Sequence, residues 1–320
     1  MSAQVFPHGT RFAFSILDDT DVATVANVKP IYRLLEQLGM RATKTVWPMA
    51  CPEGSKNFAS SQTLEDPDYL DFVRDLQDRG FEVTWHGATM ETSRRERIRA
   101  ALHRFHECMG HFPRIHVNHA DNRDNLYWGT SRIDEPLLKL LFGRLAQPPD
   151  YFQGDRQDSP YWWGDLCEQH VLYARNLTFT HPNLAAVNPS MPYHDPSRPL
   201  VRYWFSSVDA EDAPAFADLI HPRLQQELES TGGFCIVATH FGKGFVRDGQ
   251  VHSVVAERLT QLAQRPGWFP NTGELLDWLR EHRSADTLPP AEWRHMQWRW
   301  ASDLFLRKCK QRVRQLNGRG

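Results

Sequence analysis

The feature that most constrains the fold is an alternation of short apolar runs with amphipathic segments. In the first 120 residues, four strand-like runs are separated by three stretches whose apolar residues recur every three or four positions, each stretch ending near a glycine. The four runs are FAFSIL (12–17), RATKTVWP (41–48), FEVTWH (81–86) and RIHVNH (114–119). Strands and helices that alternate at this size predict an α/β fold, with a parallel sheet or barrel surrounded by helices.

The alternation of predicted strands and helices resumes after a region without a regular pattern. Residues 146–200 are rich in Pro, Gly, Asp and aromatic residues, which predicts long loops with one or two strands. Beyond them, PLVRYWFSSV (199–208) and GFCIVATH (233–240) predict further strands. We expect helices near 213–229, 251–265 and 271–282.

Composition narrows the class of protein. With 320 residues, 41% of them hydrophobic, the chain can bury a large core, and its formal net charge of -2 argues against a nucleic-acid partner. Five widely spaced cysteines without a C-x-x-C motif are typical of a reducing compartment. The sequence contains neither an 18-residue apolar run nor a secretory signal pattern. These features predict a cytoplasmic protein. An alternative is a cytoplasmic protein in peripheral contact with the inner membrane.

Polar side chains follow several of the predicted strands. Asp18, Asp19 and Asp21 come after the first, His86 after the third, and His240 after a late strand, while the fourth carries His116, Asn118 and His119. Taken singly, an aspartate here could cap a helix and a histidine could be an ordinary strand-end residue. Because the carboxyl ends of parallel strands meet at one edge, we expect these groups to share a site. A carboxylate and two neutral imidazoles are a recurrent set of ligands for a catalytic divalent metal.

Three motifs resemble those of the polysaccharide deacetylase superfamily. SILDD is similar to the paired-aspartate first motif, GFEVTWHGATM to the second and CIVATH to the last, and GWFPNTGELLDWLRE resembles the usual C-terminal end. The resemblance covers roughly residues 8–285 and implies a distorted (β/α)7 barrel that removes an acetyl group from a saccharide. The resemblance also implies that Asp19 and His86 bind a divalent metal, with Zn2+ as the first choice. It implies that Asp18 is the catalytic base and that His240 is the catalytic acid.

Two departures from the family pattern affect the ligand set. Met90 stands where a second metal-binding histidine is common, and a thioether is a poor ligand for zinc. The arginine–proline–glycine phrase of the third motif is replaced by NHADNRDNLYWG. By resemblance to the YdjC-type sugar deacetylases, His119 would be the third ligand, with His116 as second choice because strand alternation directs it to the other face. Asp21 is expected outside the site, as a helix-start residue.

Alternatives to metal-dependent deacetylation remain open. The superfamily also resembles metal-free ring-amide hydrolases, so metal-independent hydrolysis of a C–N bond is the second reading. A non-catalytic glycan-binding protein on the same fold is the third.

Saccharide contacts are predicted next to the fourth strand. Asn122, Asn125, Tyr127 and Trp128 are candidates because amides and aromatic faces suit sugar rings, although the same residues could form a polar loop with packed aromatics. Arg202 (and Arg198) could meet an anionic sugar or phosphate, or form surface ion pairs. The substrate would be a saccharide, with a cell-envelope or lipid-linked glycan as an option.

The C-terminal segment has a different charge from the rest of the chain. We therefore divide the sequence into a barrel (residues 1–285) and a basic helical extension (286–320), because residues 291–320 hold 8 Lys and Arg against 2 acids. A helical wheel over 291–316 places Trp298, Phe305, Cys309 and Leu316 on one face. Such a helix could pack on the barrel with a solvated basic face, or lie on an anionic membrane surface.

Overall fold

Seven parallel strands close into a barrel in the computed structural model, which describes residues 6–143, 147–148, 150–283 and 285–317, with side chains in the last helix described as far as residue 307. The strands follow one another around the barrel in chain order. They are β1 (Phe12–Asp18), β2 (Ala42–Val46), β3 (Glu82–Trp85), β4 (Ile115–Val117), β5 (Tyr173–Phe179), β6 (Tyr203–Ala210) and β7 (Gly233–Thr239). The predicted (β/α)7 barrel is confirmed.

Closure depends on the pairing of the first and last barrel strands. β1 pairs with β7 along its whole length, with Asp18 opposite Thr239. The barrel is distorted at β3 and β4, which share a single residue pair, Trp85 with His116. Three short strands lie outside the ring: a hairpin of β8 (Val246–Arg247) and β9 (Gln250–Val251), and β10 (Gly267–Trp268) beside the start of β1.

Ten described helices accompany the strands. They are α1 (Val25–Gln37), α2 (Pro67–Asp78), α3 (Arg95–Met109), α4 (Pro136–Gly143), α5 (Gly164–His170), α6 (Ala213–Leu219), α7 (Pro222–Thr231), α8 (Ser253–Ala263), α9 (Thr272–His282) and α10 (Pro290–Asn317). The single helix predicted near 213–229 is two helices, because Pro222 holds His221 in an extended conformation and starts a new helix. The middle region contains α5, which was not predicted, and β5, while α4, also not predicted, lies just before it.

Helix α9 lies across the amino ends of the strands. The Thr272 hydroxyl is 3.0 Å from that of Ser15, and the Gly273 amide donates to Glu82 at the start of β3. Asp277 accepts hydrogen bonds from Arg114 and Tyr173, at the starts of β4 and β5. This end of the barrel is therefore covered, and a ligand has to approach from the carboxyl ends of the strands.

Helix α10 packs on the barrel near those carboxyl ends. Met296, Gln297 and Trp300 are buried, and Asp303 accepts a hydrogen bond from the Thr180 amide, just after β5. Trp298 and Phe305 share a face as predicted, but they lie on the solvent side of the helix, 38% and 68% exposed. The side chains of Cys309 and Leu316 lie outside the described residues, and the predicted membrane contact of 291–316 stays a prediction.

The described helices include none with the length and apolar character needed to cross a membrane.

Candidate active site and metal centre

Asp18, the predicted base, is enclosed between β1 and the helical layer. One carboxylate oxygen is 2.8 Å from the Lys44 ammonium and accepts a hydrogen bond from the Tyr32 hydroxyl of α1, and the other accepts from the Phe241 amide. Asp18 and Lys44 are both 0% exposed. Complete burial raises the pKa of Asp18, and the Lys44 ammonium opposes that rise. These contacts use the whole carboxylate in a structural ion pair, so the position does not support the role predicted for Asp18.

Asp19 points across the barrel instead. Its carboxylate accepts a hydrogen bond of 3.1 Å from the Arg175 guanidinium on β5, and its amide donates to the Thr239 carbonyl of β7. Burial alone would raise the pKa of Asp19, but the charges of Arg175, His86 and His240 together outweigh burial and lower the pKa. Asp19 is therefore an ionised carboxylate inside the barrel. Its second oxygen is buried and has no hydrogen-bond partner among the described residues.

Asp21 lies among three histidines. Its carboxylate oxygens are 3.7 Å from His86 Nε2, 3.4 Å from His119 Nε2 and 3.5 Å from His240 Nε2. Asp21, His86 and His119 form a group whose ligand atoms all lie within 4.8 Å of one another. The sequence prediction that Asp21 lies outside the site is wrong. Helix α1 begins instead at Thr24, whose hydroxyl accepts the hydrogen bond from Asn27 that caps it.

The loop after β1 is held so that Asp21 faces the histidines. The Thr20 amide donates to the Thr45 hydroxyl and the Val22 amide to the Ser61 hydroxyl, on either side of Asp21. Gly242, after β7, approaches so closely that a β-carbon there would lie 2.8 Å from the Asp21 carbonyl oxygen. A side chain at position 242 would therefore push the loop away from the site.

These residues offer the ligand types of a zinc site, one carboxylate and two imidazoles. Zinc bonds of about 2.0–2.2 Å place neighbouring ligand atoms about 3.3–3.6 Å apart. One Asp21 oxygen is 3.4 Å from His119 Nε2, and the other is 3.7 Å from His86 Nε2. Burial lowers the pKa of His86 to about 3, so its imidazole is neutral. Burial would raise the pKa of Asp21, but hydrogen bonds from His119 and His240 lower it. The Asp21 oxygen nearest His86 is buried without a hydrogen-bond partner in the described chain.

His240 is held with one nitrogen toward this group. Its Nδ1 is 2.9 Å from the Glu211 carbonyl, which can only accept, so Nδ1 carries a proton and Nε2 faces Asp21. Burial would lower the pKa of His240, but Asp21 and Asp19 raise it. The structure thus places His240 beside the candidate ligands, in agreement with its predicted position.

His119 is positioned by an asparagine that was predicted to bind sugar. The Asn125 side chain accepts from the His119 amide and donates to the carbonyls of His119 and Ala120. Asn118 makes a comparable pair of bonds with the backbone of Leu126. Both the oxygen and the nitrogen of the Asn125 side chain are hydrogen-bonded within the loop, so the structure does not support a sugar contact for Asn125. These bonds indicate that Asn125 orients His119.

The other predicted sugar contacts lie in the same loop. Asn122 is buried, with its backbone bonded to His119 and Asn125. Tyr127 is buried against Trp204, and burial raises its pKa to about 12. Trp128 is half-buried, with the Arg132 guanidinium over its ring. Their contact with a sugar stays a prediction.

His116 and Met90 both lie away from the ligand group. The ring of His116 contacts Trp85 and Trp163, and its Nε2 bonds to Asn118, so alternation does direct it to the other face of β4. Met90 accepts a hydrogen bond from the Ser60 hydroxyl and lines a cavity of about 280 Å³. Trp47 borders that cavity and also contacts the rings of His86 and His119.

The arginine predicted to meet an anionic sugar is not brought to the site. Arg202 immediately precedes β6, at the amino end of the barrel, and donates to the Glu168 carbonyl. Because the candidate ligands lie at the opposite end, the position of Arg202 does not support contact with the same substrate, and that contact stays a prediction. Arg198 is 3% exposed and pairs with Asp134 and Asp195.

Comparison with known proteins supports the fold. No family model matches the sequence, and no curated protein matches it. Solved structures with a similar fold include a protein from Mycobacterium smegmatis assigned as a polysaccharide deacetylase, at 13% identity over 90% of this chain and 97% of that one, with a TM-score of 0.52. Another, assigned as a polysaccharide deacetylase from Pseudomonas aeruginosa PAO1, has 14% identity, coverages of 88% and 95%, and a TM-score of 0.50. Puue allantoinase has 12% identity, coverages of 88% and 94%, and a TM-score of 0.50. The chain therefore has the fold of the polysaccharide deacetylases.

Proposed function

We propose that this protein is a metal-dependent hydrolase that removes an acetyl or similar N-acyl group from a saccharide. The observation that carries the proposal is the group of Asp21, His86 and His119, at the open end of a barrel with the polysaccharide deacetylase fold. In this proposal Asp21 replaces Asp19 as the carboxylate ligand. Zn2+ is the favoured ion because one carboxylate and two neutral imidazoles suit it.

A zinc ion at this site would supply Lewis-acid polarisation of the acyl carbonyl and lower the pKa of a water molecule. Asp19 is the candidate base that receives the proton of the attacking water. It is ionised, lies next to the ligand group in sequence and structure, and has one buried oxygen free of hydrogen bonds from the described residues. Arg175 fixes the orientation of the carboxylate through its other oxygen.

His240 is the candidate acid. Its Nδ1 proton is committed to the Glu211 carbonyl, so proton transfer to the departing amine would use Nε2, the atom that faces the site. Asp19 and His240 approach the ligand group from different strands, β1 and β7. Two proton-transfer groups on separate strands can serve the attacking and the leaving side of one acyl group.

The direct test measures acetate release from N-acetylglucosamine oligomers by zinc-loaded protein. We expect turnover in the unmodified chain, and loss of at least a hundredfold in Asp19→Asn without loss of bound zinc, since general base catalysis contributes about 10²–10⁴-fold. Asp18→Asn is the matched control, because it changes the neighbouring carboxylate to the same amide. Full turnover in Asp19→Asn, or turnover that survives removal of zinc by a chelator, would refute the assignment.

Metal-independent hydrolysis of a C–N bond is the second candidate. The similarity of the fold to that of an allantoinase supports metal-independent hydrolysis as a second candidate. Hydrolysis of allantoin by chelator-treated protein, without acetate release from amino sugars, would support this candidate over the first. A protein that binds sugar and hydrolyses neither substrate would match a third reading, a glycan-binding protein.

A further inference from the structure

Arg132 contacts two tryptophan rings near the open end of the barrel. It ends a short 3-10 helix, Gly129–Arg132, in the long connection after β4. Its guanidinium carbon is 4.0 Å from the ring centroid of Trp128 and 4.6 Å from that of Trp300 on α10. These two cation–π contacts restrain the guanidinium. The N–H donors lie along its edge, so the edge is where a ligand can bind.

This guanidinium lacks the partner that such a group normally has. Its Nε is buried and has no hydrogen-bond partner among the described residues, and no described carboxylate forms an ion pair with Arg132. Buried donors are nearly always satisfied, by protein, by water or by a ligand. The side chain as a whole is half-buried, which leaves an approach from solvent.

Two further arginines lie close to Arg132. Burial lowers the pKa of Arg132 to about 9, and the charges of Arg307 and Arg175 add to this effect. Arg307 on α10 donates to the Thr178 carbonyl and hydroxyl and lies 3.4 Å from Asp209, while Arg175 is paired with Asp19. Arg307 and Arg175 thus each have a carboxylate partner, whereas no described carboxylate forms an ion pair with Arg132.

The cluster adjoins the candidate active site. Arg175 connects the two directly, because it contributes to the cluster and holds the proposed base Asp19. We propose that Arg132 and Arg307 bind an anionic group, a phosphate or a carboxylate, on the same saccharide whose acyl group is hydrolysed. This inference rests on the proposed function and specifies its substrate class. It also gives α10 a role, because Trp300 and Arg307 belong to this helix and complete the anion site.

The test compares the binding of two sugars to the full chain by calorimetry. We expect N-acetylglucosamine 1-phosphate to bind at least tenfold more tightly than N-acetylglucosamine, as is typical of a charge-assisted hydrogen bond. Arg132→Gln should remove that preference. Arg307→Gln should reduce it while leaving the contacts of Arg132 with Trp128 and Trp300 intact, and so tests the site even if the first variant folds poorly. Arg202→Gln, at the opposite end of the barrel, is the matched control and should keep the preference.

N-acetylmuramic acid distinguishes the two sources of negative charge. Tighter binding of the phosphate sugar identifies a phosphate site, and tighter binding of the carboxylate sugar identifies a carboxylate site. Equal affinity for charged and neutral sugars, or a preference that survives in both Arg132→Gln and Arg307→Gln, would overturn the proposal. Because binding is measured without turnover, an intact preference in a protein that releases no acetate would refute the proposed deacetylation and leave the anion site standing.

Discussion

Replacing Asp18 by Asn should destabilise the protein while sparing its chemistry. The carboxylate and the Lys44 ammonium are 2.8 Å apart and fully buried, so the variant leaves a buried cation without its counter-ion. Breaking a buried ion pair from one side costs about 3–5 kcal/mol. The unfolding entropy of a 320-residue chain is about 0.7 kcal/mol/K at about 2.1 cal/mol/K per residue. The loss therefore corresponds to a fall in Tm of about 4–8 °C.

Calorimetric unfolding with parallel measurement of zinc content and acetate release tests this reasoning. Asp18→Asn should unfold earlier but, below its Tm, bind one zinc ion and keep turnover within a few-fold of the unmodified chain. The double variant Asp18→Leu/Lys44→Met should recover part of the lost stability, because removing both charges avoids the unpaired ammonium. An unchanged Tm combined with abolished turnover would show that Asp18 is the base after all.

Three other substitutions test positions away from the reacting groups. Asn125→Ala should weaken zinc binding about ten- to a hundredfold, the usual effect of losing a group that orients a ligand, because it frees the backbone at His119; zinc affinity equal to that of the unmodified chain would refute this role. Trp300→Ala should cost about 3–5 kcal/mol in the free energy of unfolding, whereas Trp298→Ala, on the exposed face of the same helix, should change it by less than about 0.5 kcal/mol. Urea unfolding of the two variants measures the difference, and equal costs would contradict the packing of α10.

Much of the fold could be predicted because it depends on local patterns. Short apolar runs marked six of the seven barrel strands, apolar residues recurring every three or four positions marked helices, and glycines such as Gly110, which adopts the left-handed conformation, marked helix ends. β5 was expected only as one of the strands within a loop-rich region. The break between α6 and α7 was missed although Pro222 signals it.

The site was predictable only in part. The role of each residue depends on the direction of its side chain and on contacts with residues that are distant in sequence. Strand alternation predicts the direction of His116 within β4, but His119 lies beyond the end of the strand at Val117, where the loop and Asn125 set its position. Alternation at the end of β1 predicts that Asp18 and Asp19 point to opposite faces, but it does not say which face holds the site. Only the structure shows that Lys44 and Tyr32 bind the Asp18 carboxylate and so leave Asp19 for the site. Arg175 and Asp19 are 156 residues apart, a separation that no local pattern reveals.

Zinc binding by Asp21→Ala and Asp19→Ala shows which aspartate is the metal ligand, because the two variants remove neighbouring carboxylates of one loop. We expect the unmodified chain and Asp19→Ala to bind one zinc ion per chain, while Asp21→Ala loses at least a hundredfold in affinity through loss of a direct ligand. Titration calorimetry on metal-free protein gives both stoichiometry and affinity. Retained binding in Asp21→Ala together with lost binding in Asp19→Ala would show that Asp19, not Asp21, is the ligand.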